Sequence, residues 1–203
     1  MTFYNFAKNL LSGIIKMVFR VKVIGAENSE NLSSAIVCSN HISNWDPVIL
    51  ACALKCPVNY MAKEELFEIP IFGKIIKALG AFPINRGASD IAAIKTTLSL
   101  IKDGNNVCMF PQGTRCTGVE PSQTEFKSGA AMMLNHADSL LLPAAIYTKN
   151  YTIKPLRRVY IIVGKPKSRE DYGFEDNSRE EYERVSREIF SDICALLKKP
   201  ENV

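Results

Sequence analysis

The chain has 203 residues, 47% of them hydrophobic and 23% charged, the composition of a single globular domain large enough to bury a substantial core. A net charge of +4 is too mild for a nucleic-acid binder, which carries a dense basic stripe, so no nucleic-acid partner is expected, while a local anionic ligand remains compatible. Six cysteines without a C-x-x-C pair, together with only two histidines, argue for reduced thiols and against a structural zinc site; no metal is expected.

Residues 3–20 place Phe3, Phe6, Leu10, Ile14, Met17 and Val18 at helical spacing, widened by Leu11 and Ile15, and no acid precedes Glu27. Lys8 and Lys16 interrupt an apolar length already short of the ~20 residues that a membrane span needs. No small-residue cleavage site follows, so a signal peptide fits poorly. A basic, aromatic-bearing amphipathic helix over 1–20 suits the surface of an anionic membrane. The same period would also serve a terminal helix packed on its own domain. The remaining residues, 21–203, are expected to form one domain.

Val21 to Ile24 alternates like an edge strand, and Ala35 to Cys38 is a buried one. Between that strand and the apolar run Val48 to Leu54 lies Ser39-Asn40-His41-Ile42-Ser43-Asn44-Trp45-Asp46-Pro47. Asp46 stands where a helix N-cap belongs and Pro47 at the first helical position. That fixes a carboxylate close to His41, five residues earlier, where it can accept a hydrogen bond from one imidazole nitrogen and leave the other as a base.

Pro57 to Ala62 reads as a strand, and Glu64 to Leu79 as a helix broken by Pro70 and Gly73. Gly80 to Gly87 reads as strand then turn, delivering Arg86 at a strand end. Ser89 can cap a helix that Asp103-Gly104 closes, and Val107 to Phe110 is a short strand ending in Pro111-Gln112-Gly113-Thr114-Arg115. A helix is expected from Phe126 to His136, with Lys127 at its start. Strands follow at Leu140 to Tyr147 and Val159 to Val163, the first given an end or edge position by Pro143. Lys165 to Glu175 reads as an exposed loop, and Ser178-Arg-Glu-Glu181 as a capping box for a last helix with Tyr182, Val185, Ile189, Ile193 and Leu196 on one stripe. Alternating strands and helices predict an α/β fold, a single domain with a central mixed, largely buried sheet flanked by helices, plus the N-terminal amphipathic helix.

In open α/β sheets ligands gather at the carboxyl ends of strands, and here those ends carry His41 with Asp46, then Arg86, then Arg115. Guanidinium groups fork phosphate oxygens, and Gly113-Thr114 and Gly87 let main-chain N–H groups approach an anion. Either arginine alone could equally be a solvated surface residue. A base beside a phosphate clamp implies an alcohol activated on a phosphorylated substrate.

At this point the residues resemble a family, the lysophosphatidate (1-acylglycerol-3-phosphate) acyltransferases of the glycerophospholipid acyltransferase superfamily, over about residues 30–165. Asn40-His41-x-x-x-x-Asp46 is similar to its first motif, Gly80-x-Phe82-x-x-x-Arg86 to its second and Phe110-Pro111-x-Gly113-Thr114-Arg115 to its third. Leu142-Pro143-Ala144 falls where a weaker fourth belongs. The third motif departs from the family pattern: Gln112 stands where glutamate is usual, and Cys116 where serine is usual.

The resemblance implies acyl transfer from a thioester donor, acyl-CoA or acyl carrier protein, to the free hydroxyl of lysophosphatidate, giving phosphatidate in phospholipid biosynthesis. No further cofactor is implied. His41, oriented by Asp46, would be the base, and Arg86, Arg115 and Lys127 would hold the phosphate. Gln112, Gly113, Thr114 and Asn40 would position substrate or face the oxyanion. The expected location is the cytoplasmic face of the cell membrane, peripheral or monotopic, on an anionic surface. Two other readings stay open: the same chemistry on glycerol-3-phosphate or another lysophospholipid, and a lipid thioesterase or hydrolase using Ser39, Ser43 or Cys38 beside His41, although no G-x-S-x-G elbow is present.

Overall fold

The computed structural model describes residues 12–78, 80–84 and 90–198. Arg86, Gly87 and Ser89, and the apolar residues of the N-terminal stripe before residue 12, lie outside the described residues.

After helical residues 12–18 (α1), the chain forms β1 (Val21–Ile24), β2 (Ala35–Ser39), α2 (Asp46–Ala53), β3 (Asn59–Lys63), α3 (Phe72–Ala78), β4 (Ala81–Ile84) and α4 (Asp90–Lys102). It continues through β5 (Val107–Met109), α5 (Gly129–His136), β6 (Leu140–Tyr147), β7 (Val159–Val163) and α6 (Arg179–Leu196). The strands form one seven-stranded sheet in the order β1-β7-β6-β2-β5-β3-β4. Neighbouring pairs are parallel except β6 with β7. Strands β2 to β6 therefore end on one edge of the sheet, and β7 and β1 begin there.

The sheet is buried on both faces because successive residues of a strand point opposite ways. On β2, Val37 joins a core layer under α1 and α2, while Ile36 and Cys38 join the layer under α4, α5 and α6. Ile15 and Phe19 fix the end of α1 in the first layer, and Phe19 is 1% exposed. Ile14 and Met17 of the same helix stay exposed. One side of α1 thus packs on the domain and another faces out.

Pro143 corrects the expectation of an end or edge position. It is buried in the middle of β6, paired with Cys38 of β2 in an interior strand. Its carbonyl accepts from Gly164 N at 2.8 Å, so its missing N–H faces the β7 side, where the chain bulges out between Val163 and the isolated bridge of Lys167 with Leu141. That bridge also corrects the reading of 165–175 as only an exposed loop. Tyr172 is 3% exposed and its hydroxyl donates to Asp192 on α6 at 2.9 Å.

The helix expected from Phe126 begins three residues later, at Gly129. Half of the capping box forms: Ser178 Oγ accepts from Glu181 N at 3.1 Å, but Glu181 Oε1 accepts from Glu175 N at 3.0 Å. The Arg184 guanidinium, 2.6 Å from Glu181 and its main hydrogen-bond donor, holds that carboxyl down to about 2.

Candidate active site

The loop between β2 and α2 leaves the carboxyl edge at the centre of the sheet. Asp46 does not cap its helix as expected; it is the first helical residue, Trp45 is the N-cap, and Pro47 comes second. Its carboxylate instead turns back on the loop. Oδ2 accepts from Ile42 N at 2.6 Å and Ser43 N at 2.8 Å, and lies 2.6 Å from His41 Nδ1. An oxygen already accepting from two N–H groups selects the imidazole tautomer with hydrogen on Nδ1. Asp46 is fully buried. Burial pushes its carboxyl above the ordinary range, opposed by the hydrogen bonds from His41, Ser43 and Ile42.

His41 is held at every other polar point. Its main-chain N–H donates to Gln112 Oε1 at 2.6 Å, and its carbonyl accepts from Cys116 N at 2.8 Å. Its ring stacks on Phe110, with centroids 4.1 Å apart and planes 16° from parallel. The remaining polar atom is Nε2, on a side chain 17% exposed. A neutral imidazole with a proton fixed on Nδ1 presents a lone pair at Nε2, which is what a general base requires.

The residues expected to meet substrate divide into two groups. Asn40 is fully buried, and its side-chain amide pairs with Ile146 of β6, donating to the carbonyl at 3.0 Å and accepting from the N–H at 2.8 Å. Gln112 is 5% exposed; its oxygen is taken by His41 N and its Nε2 donates to Thr124 Oγ1 at 2.7 Å, while that hydroxyl donates to Pro121 O at 2.7 Å. Both side chains spend their hydrogen bonds on the protein, where they brace the strand end that carries His41.

Gly113, Thr114, Arg115 and Lys127 face outward. Gly113 has φ 67°, and its N–H closes a turn onto Phe110 O at 2.9 Å, so this particular N–H is not the oxyanion donor that the sequence suggested. A Cβ there would lie 3.0 Å from Lys127 Cε, which places the lysine directly against the turn. Arg115 Nη1 donates to Asn44 Oδ1, tying the third motif to the first. Lys63 is a further cation at this edge, exposed as the last residue of β3. The strand-end argument that singled out Arg86 and Arg115 applies to it equally, and the sequence reading ended that strand at Ala62, one residue short of it.

The nucleophiles of the hydrolase reading are badly placed. Cys38 and Ser39 are fully buried, the Cys38 thiol pushed up by burial and the Ser39 hydroxyl donating to Asn40 O at 3.2 Å. Ser43 Oγ accepts from Trp45 N at 3.2 Å in the loop itself. Among the described residues, no three His, Cys, Asp or Glu side chains gather as a metal site, and no helix is long and apolar enough to cross a membrane.

Comparison with known proteins gives this architecture its class. An acyltransferase family model matches residues 20–147. The 1-acyl-sn-glycerol-3-phosphate acyltransferase of Bacillus subtilis is 33% identical over 174 residues, covering 83% of this chain and 84% of its own length. That of Streptococcus pneumoniae is 34% identical over 168 residues, 75% of this chain and 61% of its own. The crystal structure of the 1-acyl-sn-glycerophosphate acyltransferase PlsC from Thermotoga maritima superposes with a TM-score of 0.71 at 22% identity, covering 99% of this chain and 79% of that one, so the fold is shared. The class is that of the acyltransferases. Within it, the chain belongs to the family of 1-acyl-sn-glycerol-3-phosphate acyltransferases.

Proposed function

We propose that the protein transfers a fatty acyl group from a thioester, acyl-CoA or acyl carrier protein, to the sn-2 hydroxyl of lysophosphatidate, giving phosphatidate at the cytoplasmic face of the membrane. The observation that carries this reading is His41 Nε2, the one imidazole atom left open when Asp46, Gln112 and Cys116 hold the rest of the residue. The names of the relatives supply the substrate.

Nε2 removes the proton from the acceptor hydroxyl as its oxygen attacks the thioester carbonyl. The tetrahedral intermediate collapses by breaking the C–S bond, and the departing thiolate takes the proton from the imidazolium, so base and acid are the same residue and no acyl-enzyme forms. Asp46 keeps the tautomer and stabilises the transient imidazolium. Arg115 and Lys127 hold the phosphate, joined by Arg86 in the second motif and by Lys63 at the end of β3. Thr114, whose N–H has no hydrogen-bond partner among the described residues, supplies the oxyanion donor in place of Gly113. Gln112 and Asn40 act by holding His41 rather than by touching substrate.

The test is phosphatidate formation from lysophosphatidate with acyl-CoA and, separately, with acyl carrier protein thioester, beside glycerol-3-phosphate and other lysophospholipids as acceptors. Acylation of lysophosphatidate well above the other acceptors supports the reading; preference for another acceptor moves the substrate, and no transfer from either donor rejects it.

A further inference from the structure

Beside the site, two segments of the chain carry exposed apolar side chains and cations and contain no acid. The connection from β6 to β7, residues 148–158, starts at the carboxyl edge and returns to it, and α1 ends at the same edge. A main-chain hydrogen bond from Leu156 N to Val18 O, 2.6 Å long, joins the tip of this connection to the end of α1. Just past α1, the Phe19 and Trp45 rings lie 5.1 Å apart, which links the end of the helix to the loop of the catalytic histidine. Met17 and Leu156 are each 72% exposed and Ile14 51%.

The charge of these segments has one sign. Residues 12–26 contain Lys16, Arg20 and Lys22, and residues 148–158 contain Lys149, Lys154, Arg157 and Arg158; neither stretch contains an Asp or Glu. Leu156 is also held in the left-handed region at φ 63°, a conformation that costs a leucine and not a glycine. The chain thus carries backbone strain to keep an apolar side chain in water between cations. Ile71 is likewise left-handed and exposed, but it follows Glu64, Glu65 and Glu68 and lacks that setting.

We infer that the tip of the β6–β7 connection, with the outer side of α1, docks on an anionic lipid bilayer, Leu156 and Met17 entering the acyl boundary and Arg157 and Arg158 meeting head-group phosphates. Apolar tips flanked by arginines fit a bilayer better than a protein partner, since the charges take phosphate while the tips need a fluid apolar layer. This widens the membrane contact beyond the N-terminal helix. It rests on the acyltransferase reading only in that a lipid acceptor must be reached at a bilayer, and its primary readout is vesicle binding.

The experiment is co-sedimentation of the full chain with phosphatidylcholine vesicles, with and without about a quarter phosphatidylglycerol. The parent should bind the anionic vesicles and lose them as salt is raised. Arg157→Gln with Arg158→Gln should lower partitioning about 30-fold, at about 1 kcal/mol per cation. Leu156→Gly should lower it about tenfold while leaving the melting temperature unchanged or about 2–4 °C higher, because glycine relieves the left-handed strain. The melting curve separates lost docking from lost folding. Parental binding by these variants, or no binding by the parent, overturns the inference. So would intact vesicle binding with a selective loss of turnover on acyl carrier protein in detergent, which would assign the face to a protein donor. Vesicle binding without phosphatidate formation would leave the docking surface standing and remove the proposed reaction.

Discussion

His41 and His136 are the two imidazoles of the chain, and they stand at opposite edges of one sheet. His136 ends α5 at the amino edge, exposed, with Nε2 3.1 Å from the Tyr182 hydroxyl, beside a cleft of about 480 Å³ that Asp138, Ser139 and Arg169 also line. No carboxylate is hydrogen-bonded to it among the described residues. His41 has a buried carboxylate on Nδ1, its main chain pinned at both ends, and an aromatic ring against its face. The polar cleft around His136 has no such fixed base. Under the proposed mechanism, the contrast puts catalytic competence in what fixes the imidazole, rather than in the imidazole or in a cleft.

That contrast can be broken from either side. His41→Ala should reduce acyl transfer on the order of 10⁴-fold, and His136→Ala should leave the rate within about twofold, read as initial rates at saturating donor. Asp46→Asn should make His41 resemble His136 by freeing its tautomer, at a cost of about 10³-fold in kcat.

The same variant carries a stability signature. Burial raises the Asp46 pKa in the folded state above the ~3.9 of an unfolded chain. The folded state then holds the proton more tightly, and the parent's stability relative to Asp46→Asn should fall as pH rises from about 4 through the raised value. Melting temperatures of both proteins across that range give the sign directly.

Smaller changes sharpen the comparison. Arg115→Ala should raise KM for lysophosphatidate about 10–100-fold with little change in kcat, as expected for lost charge-assisted bonds to a phosphate. Gln112→Glu should lower kcat about 3–10-fold. The Thr124 hydroxyl already donates to Pro121 O and would have to turn to meet a carboxylate. A negative charge next to His41 also favours the imidazolium, so the acid limb of the pH–rate profile should move to higher pH. An unchanged profile with a raised KM would return Gln112 to the substrate.

The alternation of strands and helices was legible because each element carries its own period, and the contact of His41 with Asp46 because they are only five residues apart. What the sequence concealed are long-range pairings. Gln112 reaches His41 across 71 positions and Asn40 reaches Ile146 across 106, so two side chains that read as substrate contacts are occupied by the protein itself. Pro143 read as an edge residue because proline lacks a donor, and only the register shows its empty position facing a bulge. Asp46 read as a cap because of Pro47, whereas three donors, His41 among them, draw its carboxylate backwards.

The most direct test of the central claim, that His41 Nε2 activates the acceptor for direct acyl transfer, follows free thiol and phosphatidate together in one reaction with the parent and with His41→Ala. The account predicts equal amounts of thiol and phosphatidate from the parent and neither above background from the variant. Phosphatidate formed by His41→Ala at the parental rate would contradict it, as would thiol released by the parent without phosphatidate.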